Sequence, residues 1–170
     1  MNAAINGQVG NEFTPSLQYV AIASHFASLG LTELGALFFK QASEEREHAM
    51  RFVKHLVDAG AHVEIPAIPP PKAGFASVEE SVILSVAWEK AVNGQINALV
   101  EQAIKESDHL TQNILSWFVH AQLEEMSMTE NLLKITQLAG ANRLYIEEYV
   151  IRHRDRAASA CRPLPKMAAA

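Results

Sequence analysis

Acidic side chains at positions a folded chain would bury are the first chemical feature of this sequence. Glu45-x-x-His48 puts a carboxylate and an imidazole one turn apart on the same helix face. Stepping by three and four along that segment gives a seam of Phe38, Gln41, Glu45, His48 and Phe52. A later segment reads Val82, Ser85, Glu89, Val92, Ile96 and Leu99, and the next reads Leu115, Phe118, Gln122, Glu125, Thr129 and Leu132. In the first segment the seam passes through Glu12, Tyr19, Ala23 and Phe26. Each seam therefore sets an acid among apolar or aromatic neighbours. An unpaired buried carboxylate costs on the order of several kcal/mol, and four that converge repel one another unless cations neutralise them. A metal centre is the chemistry this pattern implies. Reading Glu12, Glu45 and Glu89 as surface acids would require rotating each helix off its apolar seam.

The spacing sharpens the inference. Glu45 lies 33 residues after Glu12, and Gln122 lies 33 residues after Glu89. His48 and Glu125 each follow three residues later, so the chain is a two-fold internal repeat: Glu then Glu-x-x-His, Glu then Gln-x-x-Glu. Helix bundles that hold paired iron use one Glu from each of two helices and Glu-x-x-His from each of the other two. The first half matches that template; the second carries Gln for Glu and Glu for His. A donor set of oxygens with one imidazole favours iron or manganese over a structural zinc site. One metal would take Glu12, Glu45 and His48, the other Glu45, Glu89 and Glu125, with Glu45 bridging. Loose coordination of the second metal suits a site that releases its product. Tyr19, seven residues after Glu12 on the same face, is either a core tyrosine bonded to a ligand carboxylate or a redox participant. The remaining histidines have no ligand spacing, and Met50, Met126 and Met128 read as packing residues.

Four long helices must hold these groups. The first is expected from about residue 4 to 29, stopped by Gly30, and a second, capped by Thr32, runs to Ala59 before Gly60. Pro15 should kink the first helix. The stretch 60–76, with Pro69-Pro70-Pro71, is extended. Ser77-x-x-Glu80 is a capping box for a third helix to about Ser107; Asp108 caps a fourth that Gly140 closes. A short amphipathic helix over about 142–154 follows, its apolar face carrying Leu144, Tyr145, Tyr149 and Val150, to pack either on the bundle end or against symmetry mates. A helix of 28 residues spans roughly 42 Å, and a 17-residue extended linker reaches roughly 56 Å. The linker can therefore return along the bundle, so the second and third helices run parallel. The fold class is all-α: a four-helix bundle with one long crossover and a short fifth helix, one domain over residues 1–156 with a flexible tail over 157–170.

Composition agrees. In 170 residues, 49% are hydrophobic and there are only 8 Gly and 7 Pro, a folded and helix-rich balance. A net charge of −5 is wrong for a nucleic-acid binder and right for a cationic partner. The cluster Arg152, His153, Arg154 and Arg156 reads as the basic last turn of a helix. Apolar runs are too short to cross a membrane, no signal peptide is legible, and the single Cys161 fits a reducing cytoplasm.

Taken together, Asn11-Glu12-Phe13 with Gln18-Tyr19, Ser43-Glu44-Glu45-Arg46-Glu47-His48-Ala49-Met50, Trp88-Glu89, Trp117-Phe118 before Gln122-x-x-Glu125, and Leu138 to Asn142 resemble the prokaryotic non-haem ferritins. The resemblance covers roughly residues 5–155. It implies a ferroxidase centre at Glu12, Glu45, His48, Glu89, Gln122 and Glu125 with Tyr19 beside it. It also implies a 24-subunit shell that oxidises Fe²⁺ with O₂ and stores ferric mineral, and a fifth helix that meets its symmetry mates. Glu44, Glu124 and Glu125 match a third iron site of the family, with Ala121 where another Glu is common. Gln122-x-x-Glu125 departs from the haem-binding branch, so haem is not expected. Release of stored iron would call on an electron donor. The competing reading is a di-iron oxidase or peroxidase acting on a small substrate; a DNA-protecting mini-ferritin fits less well, because that class lacks the fifth helix.

Overall fold

A computed structural model describes the backbone of residues 1–160 and the side chains of residues 1–153. The four periodic stretches form α1 (Asn2–Ser28), α2 (Thr32–Asp58), α3 (Val78–Lys105) and α4 (His109–Ala139), followed by α5 (Arg143–Ala160). The seam residues of α1, α2 and α3 are all buried, as are those of α4 except Glu125, whose side chain keeps 11% exposure. α1 with α2 and α3 with α4 make the tightest pairs. Two apolar clusters fill the bundle, one around Tyr19, Phe26, Phe38 and Val82, the other around Ile5, Phe52, Ile96 and Phe118. The acidic seam positions lie between them in sequence on every helix. Among the described residues no helix is long and apolar enough to cross a membrane.

Four helix boundaries follow the expected local chemistry. Gly30 and Gly60 adopt φ of 74° and 69°, the left-handed turn that a Cβ disfavours. Asp108 accepts the Thr111 amide at 3.0 Å. Ser77 Oγ accepts the Glu80 amide at 3.0 Å, while Glu80 reaches back to the Ala76 amide at 2.5 Å, one residue short of the usual capping-box partner.

The expected cap of α2 is corrected. Thr32 does not cap α2; Leu31 holds that position without a side-chain bond. The first-turn amides of Glu33 and Leu34 donate instead to Glu147 of α5, at 3.0 and 2.8 Å. A carboxylate at a helix N-terminus answers both the orphan amides and the macrodipole, but this one arrives from more than a hundred residues away. Replacing Glu147 with Ala should cost about 1 kcal/mol, measurable as an earlier urea midpoint. Pro15 leaves α1 continuous. It withholds only its own bond, while the neighbouring Thr14 hydroxyl adds one to the Gly10 carbonyl at 2.8 Å.

α5 runs six residues beyond the expected 154, so Arg152 and His153 lie inside the helix rather than in its last turn. Arg152 pairs with Glu148 one turn away. The side chains of Arg154 and Arg156, and the tail from Cys161 onward, lie outside the described residues. Ile146 and Val150 bury themselves against the α1–α2 end of the bundle. Leu144 and Tyr145 stay on the exposed side, Leu144 at 77%.

The linker between α2 and α3 lies along α1 and is held by two amide side chains. Asn6 bonds the His62 carbonyl (3.0 Å) and the Glu64 amide (2.8 Å), and Gln18 bonds both backbone groups of Lys72 (2.8 and 3.0 Å). Between these clamps Pro66 crosses Gly10, where an added Cβ would fall 2.3 Å from the Pro66 Cγ. The crossover thus leaves α2 and α3 parallel, which sets the four acidic seam positions facing one another.

Candidate metal centre

Each long helix contributes one turn to a polar layer between the two apolar clusters. α1 supplies Glu12, α2 supplies Glu45 and His48, α3 supplies Glu89, and α4 supplies Gln122 and Glu125. His48 Nδ1 lies 3.9 Å from Glu12 Oε2 and 3.7 Å from Glu45 Oε2, and its Nε2 lies 3.5 Å from Glu125 Oε1. Trp117 and Phe118 of α4 pack edge-on against the imidazole, and Arg51 covers Trp117 at 4.0 Å, so the ring has little freedom to turn.

Two groups bring their donor atoms within 4.8 Å of one another: Glu12, Glu45 and His48, and Glu45, Glu89 and Glu125. Glu45 belongs to both. The buried Glu12 Oε2, Glu45 Oε2, Glu89 Oε2 and His48 Nδ1 have no hydrogen-bond partner. Buried polar atoms are nearly always satisfied, so four orphans in one layer mark a place where another species completes the coordination. Carboxylate oxygens and one imidazole nitrogen suit a divalent first-row metal such as iron, and these residues fit it.

The electrostatics agree. Burial pushes the Glu45 carboxyl well above the usual carboxylate range, and the charges of Glu89 and Glu12 push the same way. Burial also raises Glu12 and Glu89, against the opposing hydrogen bonds of Gln8 and Tyr19 respectively. Glu125 is pushed up to about 9 by burial and then by Glu45. Protons and metal cations compete for these oxygens.

Tyr19 donates its hydroxyl to Glu89 Oε1, so the tyrosine is bonded to one of the converging carboxylates. Burial and the Glu89 charge hold that phenol well above its ordinary range. Gln122 bonds Glu125 Oε2 at 2.6 Å and leaves Glu125 Oε1 toward His48. Glu44 and Glu124 stand apart and belong to neither group. Glu44 is half-buried, paired with Lys40 at 2.6 Å and bonded by Gln41, whereas Glu124 is exposed across a groove on α4. Sequence reasoning passed over Gln8, which donates to Glu12 at 2.7 Å. Its signal was available: a polar residue one turn before an acid on the buried face.

The chain is similar to known proteins over most of its length. The ferritin-like domain family matches residues 2–139. Over 151 residues the chain is 39% identical to a protein named ferritin BfrB from Mycolicibacterium smegmatis, covering 89% of this chain and 83% of that one. It is 32% identical over 147 residues to a bacterial non-heme ferritin from Staphylococcus aureus, covering 85% and 89% of the two chains. An open-pore ferritin from the archaeon Archaeoglobus fulgidus superposes with a TM-score of 0.83 at 28% identity, covering 87% of this chain and 92% of that one. A five-helix chain with this crossover, matched from its first helix to the end of its fourth, belongs to the ferritin family of prokaryotes.

Proposed function

We propose that the protein stores iron: it oxidises Fe²⁺ with O₂ at the buried carboxylate layer and deposits ferric mineral inside a shell of 24 subunits. The observation that carries this reading is the shared Glu45, with partnerless donor atoms of Glu12, Glu89 and His48 around it. Two Fe²⁺ would sit on the two groups about 3.5–4 Å apart, each giving one electron to O₂. His48 and Glu12 hold one ion. Glu89 and Glu125, carboxylates only, hold the other more loosely and let it leave once oxidised. Gln122, between Glu89 and Glu125, keeps both oriented.

Ferric ions would leave past α2. Gln41 lies one turn before Glu45 and lines a groove of about 920 Å³ among α2, α4 and α5, together with Lys40 and Glu124. Glu44 is bonded by two of its lining residues, Gln41 and Lys40. These acids serve as stations for iron on its way to the mineral, and hydrolysis there releases protons they help take up. The large apolar side chains left exposed, among them Leu110, Leu123, Leu138 and Leu144, support self-association. An unassembled chain would leave them in water. The site needs no haem, and the working compartment is the cytoplasm.

An oxidase or peroxidase for a small organic substrate would want substrate space against the carboxylates. The 920 Å³ groove touches none of Glu12, Glu45, His48, Glu89, Gln122 or Glu125. Aerobic Fe²⁺ added to metal-free protein, followed by size-exclusion chromatography with iron counted per chain, separates the two. Iron far beyond a pair per chain on a very large particle is expected. A pair per chain on a small oligomer would replace storage with the oxidase reading.

A further inference from the structure

The partnerless oxygens of the centre are left over in a regular way. Glu89 has Oε1 bonded by the Tyr19 hydroxyl and Oε2 without a partner. Glu12 has Oε1 bonded by Gln8 Nε2 and Oε2 without a partner. In each case a protein donor takes one oxygen and leaves the other without a partner, and that of Glu12 lies 3.9 Å from His48 Nδ1. A carboxylate tied in this way meets a metal through one oxygen only, in an orientation set before the metal arrives.

The internal repeat makes the Gln8 contact informative. The ligand positions 12, 45 and 48 of the first half have counterparts 77 residues later at 89, 122 and 125, and in that register Glu12 corresponds to Glu89 and Tyr19 to Ile96. Tyr19 of α1 crosses to Glu89 of α3. Its counterpart Ile96 is apolar and has no donor to return to Glu12. Gln8, one turn before Glu12 on its own helix, supplies the missing hydrogen bond.

Gln8 is itself held in place. It is only 2% exposed. Asn11 donates to its Oε1 at 3.1 Å, so the carboxamide presents its NH₂ rather than its oxygen to Glu12. The same Nε2 approaches Gln95 Oε1 of α3 at 3.5 Å. A buried carboxamide with both ends engaged and one N–H aimed at an acidic centre is a built contact.

We propose that Gln8 is the positioning residue for Glu12, the counterpart of Tyr19 at Glu89, and that Asn11 fixes its orientation. The inference rests on the paired-metal reading of the site. Gln8 touches no metal and acts through Glu12. Without it Glu12 can rotate, offer both oxygens or accept from another neighbour, and the His48-side metal loses its defined ligand. The metal shared by Glu89 and Glu125 keeps Tyr19 and is little affected.

Metal-free protein titrated with Co²⁺ tests this, with heat and visible absorption as readouts; Co²⁺ reports coordination geometry without O₂ chemistry. Wild type should take up two Co²⁺ per chain in two steps. Gln8→Leu should weaken one step by about 10–100-fold, the usual effect of losing an outer-shell partner, and change its absorption band while leaving the other step in place. Tyr19→Phe should weaken the other step. Asn11→Ala, at a partly exposed position that folding tolerates, should weaken the same step as Gln8→Leu by a smaller factor, and it carries the test should Gln8→Leu not fold. Unchanged titrations for Asn11→Ala and folded Gln8→Leu would overturn the assignment, as would equal weakening of both steps, the signature of a general structural role. Failure of wild type to bind a Co²⁺ pair would instead remove the paired-metal reading on which the assignment depends.

Discussion

Replacing Glu45 with Ala is expected to abolish rapid Fe²⁺ oxidation, lowering the initial rate by at least about 100-fold. The estimate starts from outer-shell partners, whose loss typically costs 10–100-fold in affinity or activity. Glu45 is nearer the chemistry than that, because it is the one carboxylate belonging to both donor groups. Its loss removes a ligand from each metal at once and the bridge that sets their separation. Stopped-flow absorbance after mixing metal-free protein with Fe²⁺ and O₂ reads the rate, and wild-type kinetics in the variant would remove the assignment. Stability should move the other way in Glu45→Gln, which keeps the volume. Burial and the charges of Glu89 and Glu12 raise the Glu45 carboxyl well above its ordinary range, so the acid is held at a cost that a neutral amide avoids. The metal-free Gln variant should melt higher than wild type at pH 8, even as it loses metal binding. A site built for stability would give the opposite order.

Divalent metal should raise the melting temperature by an amount that grows with pH across the range from about 5 to 9. Four carboxyls in the layer are raised in the folded protein, and Glu125 is pushed up to about 9. A carboxyl whose folded pKa lies above its unfolded value contributes stability that is fully present below the unfolded pKa. That contribution is lost as pH rises through the folded pKa. The metal-free protein therefore gives up stability from this layer between the ordinary carboxylate range near 4.5 and about 9. Bound metal supplies the positive charge that protons supplied at low pH. It competes with them at low pH and displaces them as pH rises. Calorimetry of metal-free and Co²⁺-loaded protein at pH 5.5, 7 and 8.5 checks the trend. Titration at pH 7 in buffers of different ionisation enthalpy should detect at least one proton released per metal pair. A metal-induced shift that is flat with pH, with no proton release, would place the metal elsewhere on the molecule.

The local chemistry of the chain accounts for most of the scaffold. Periodicity set out the helices and their buried faces, because the apolar seam admits one rotation per helix. The 33-residue register placed the acids at one level, because two equal hairpins across a long linker can only bring them there together. Glu12, Glu45, His48, Glu89, Gln122 and Glu125 were legible for that reason: each breaks an otherwise apolar pattern. Glu44 and Glu124 break no such pattern, and their family match did not reveal that Glu44 is tied to Lys40 and Gln41.

Contacts between segments far apart in the chain came only from the tertiary structure. Glu147 caps α2 from α5, and Asn6 and Gln18 bond the backbone of the linker. Propensity and spacing describe a residue's neighbours along the chain. A side-chain hydrogen bond depends on which surfaces docking brings within 3 Å. Gln8 lies between the two cases. Its one-turn spacing to Glu12 was visible along the chain. Its function as a donor was decided when Asn11 engaged its oxygen and α3 closed the layer around it.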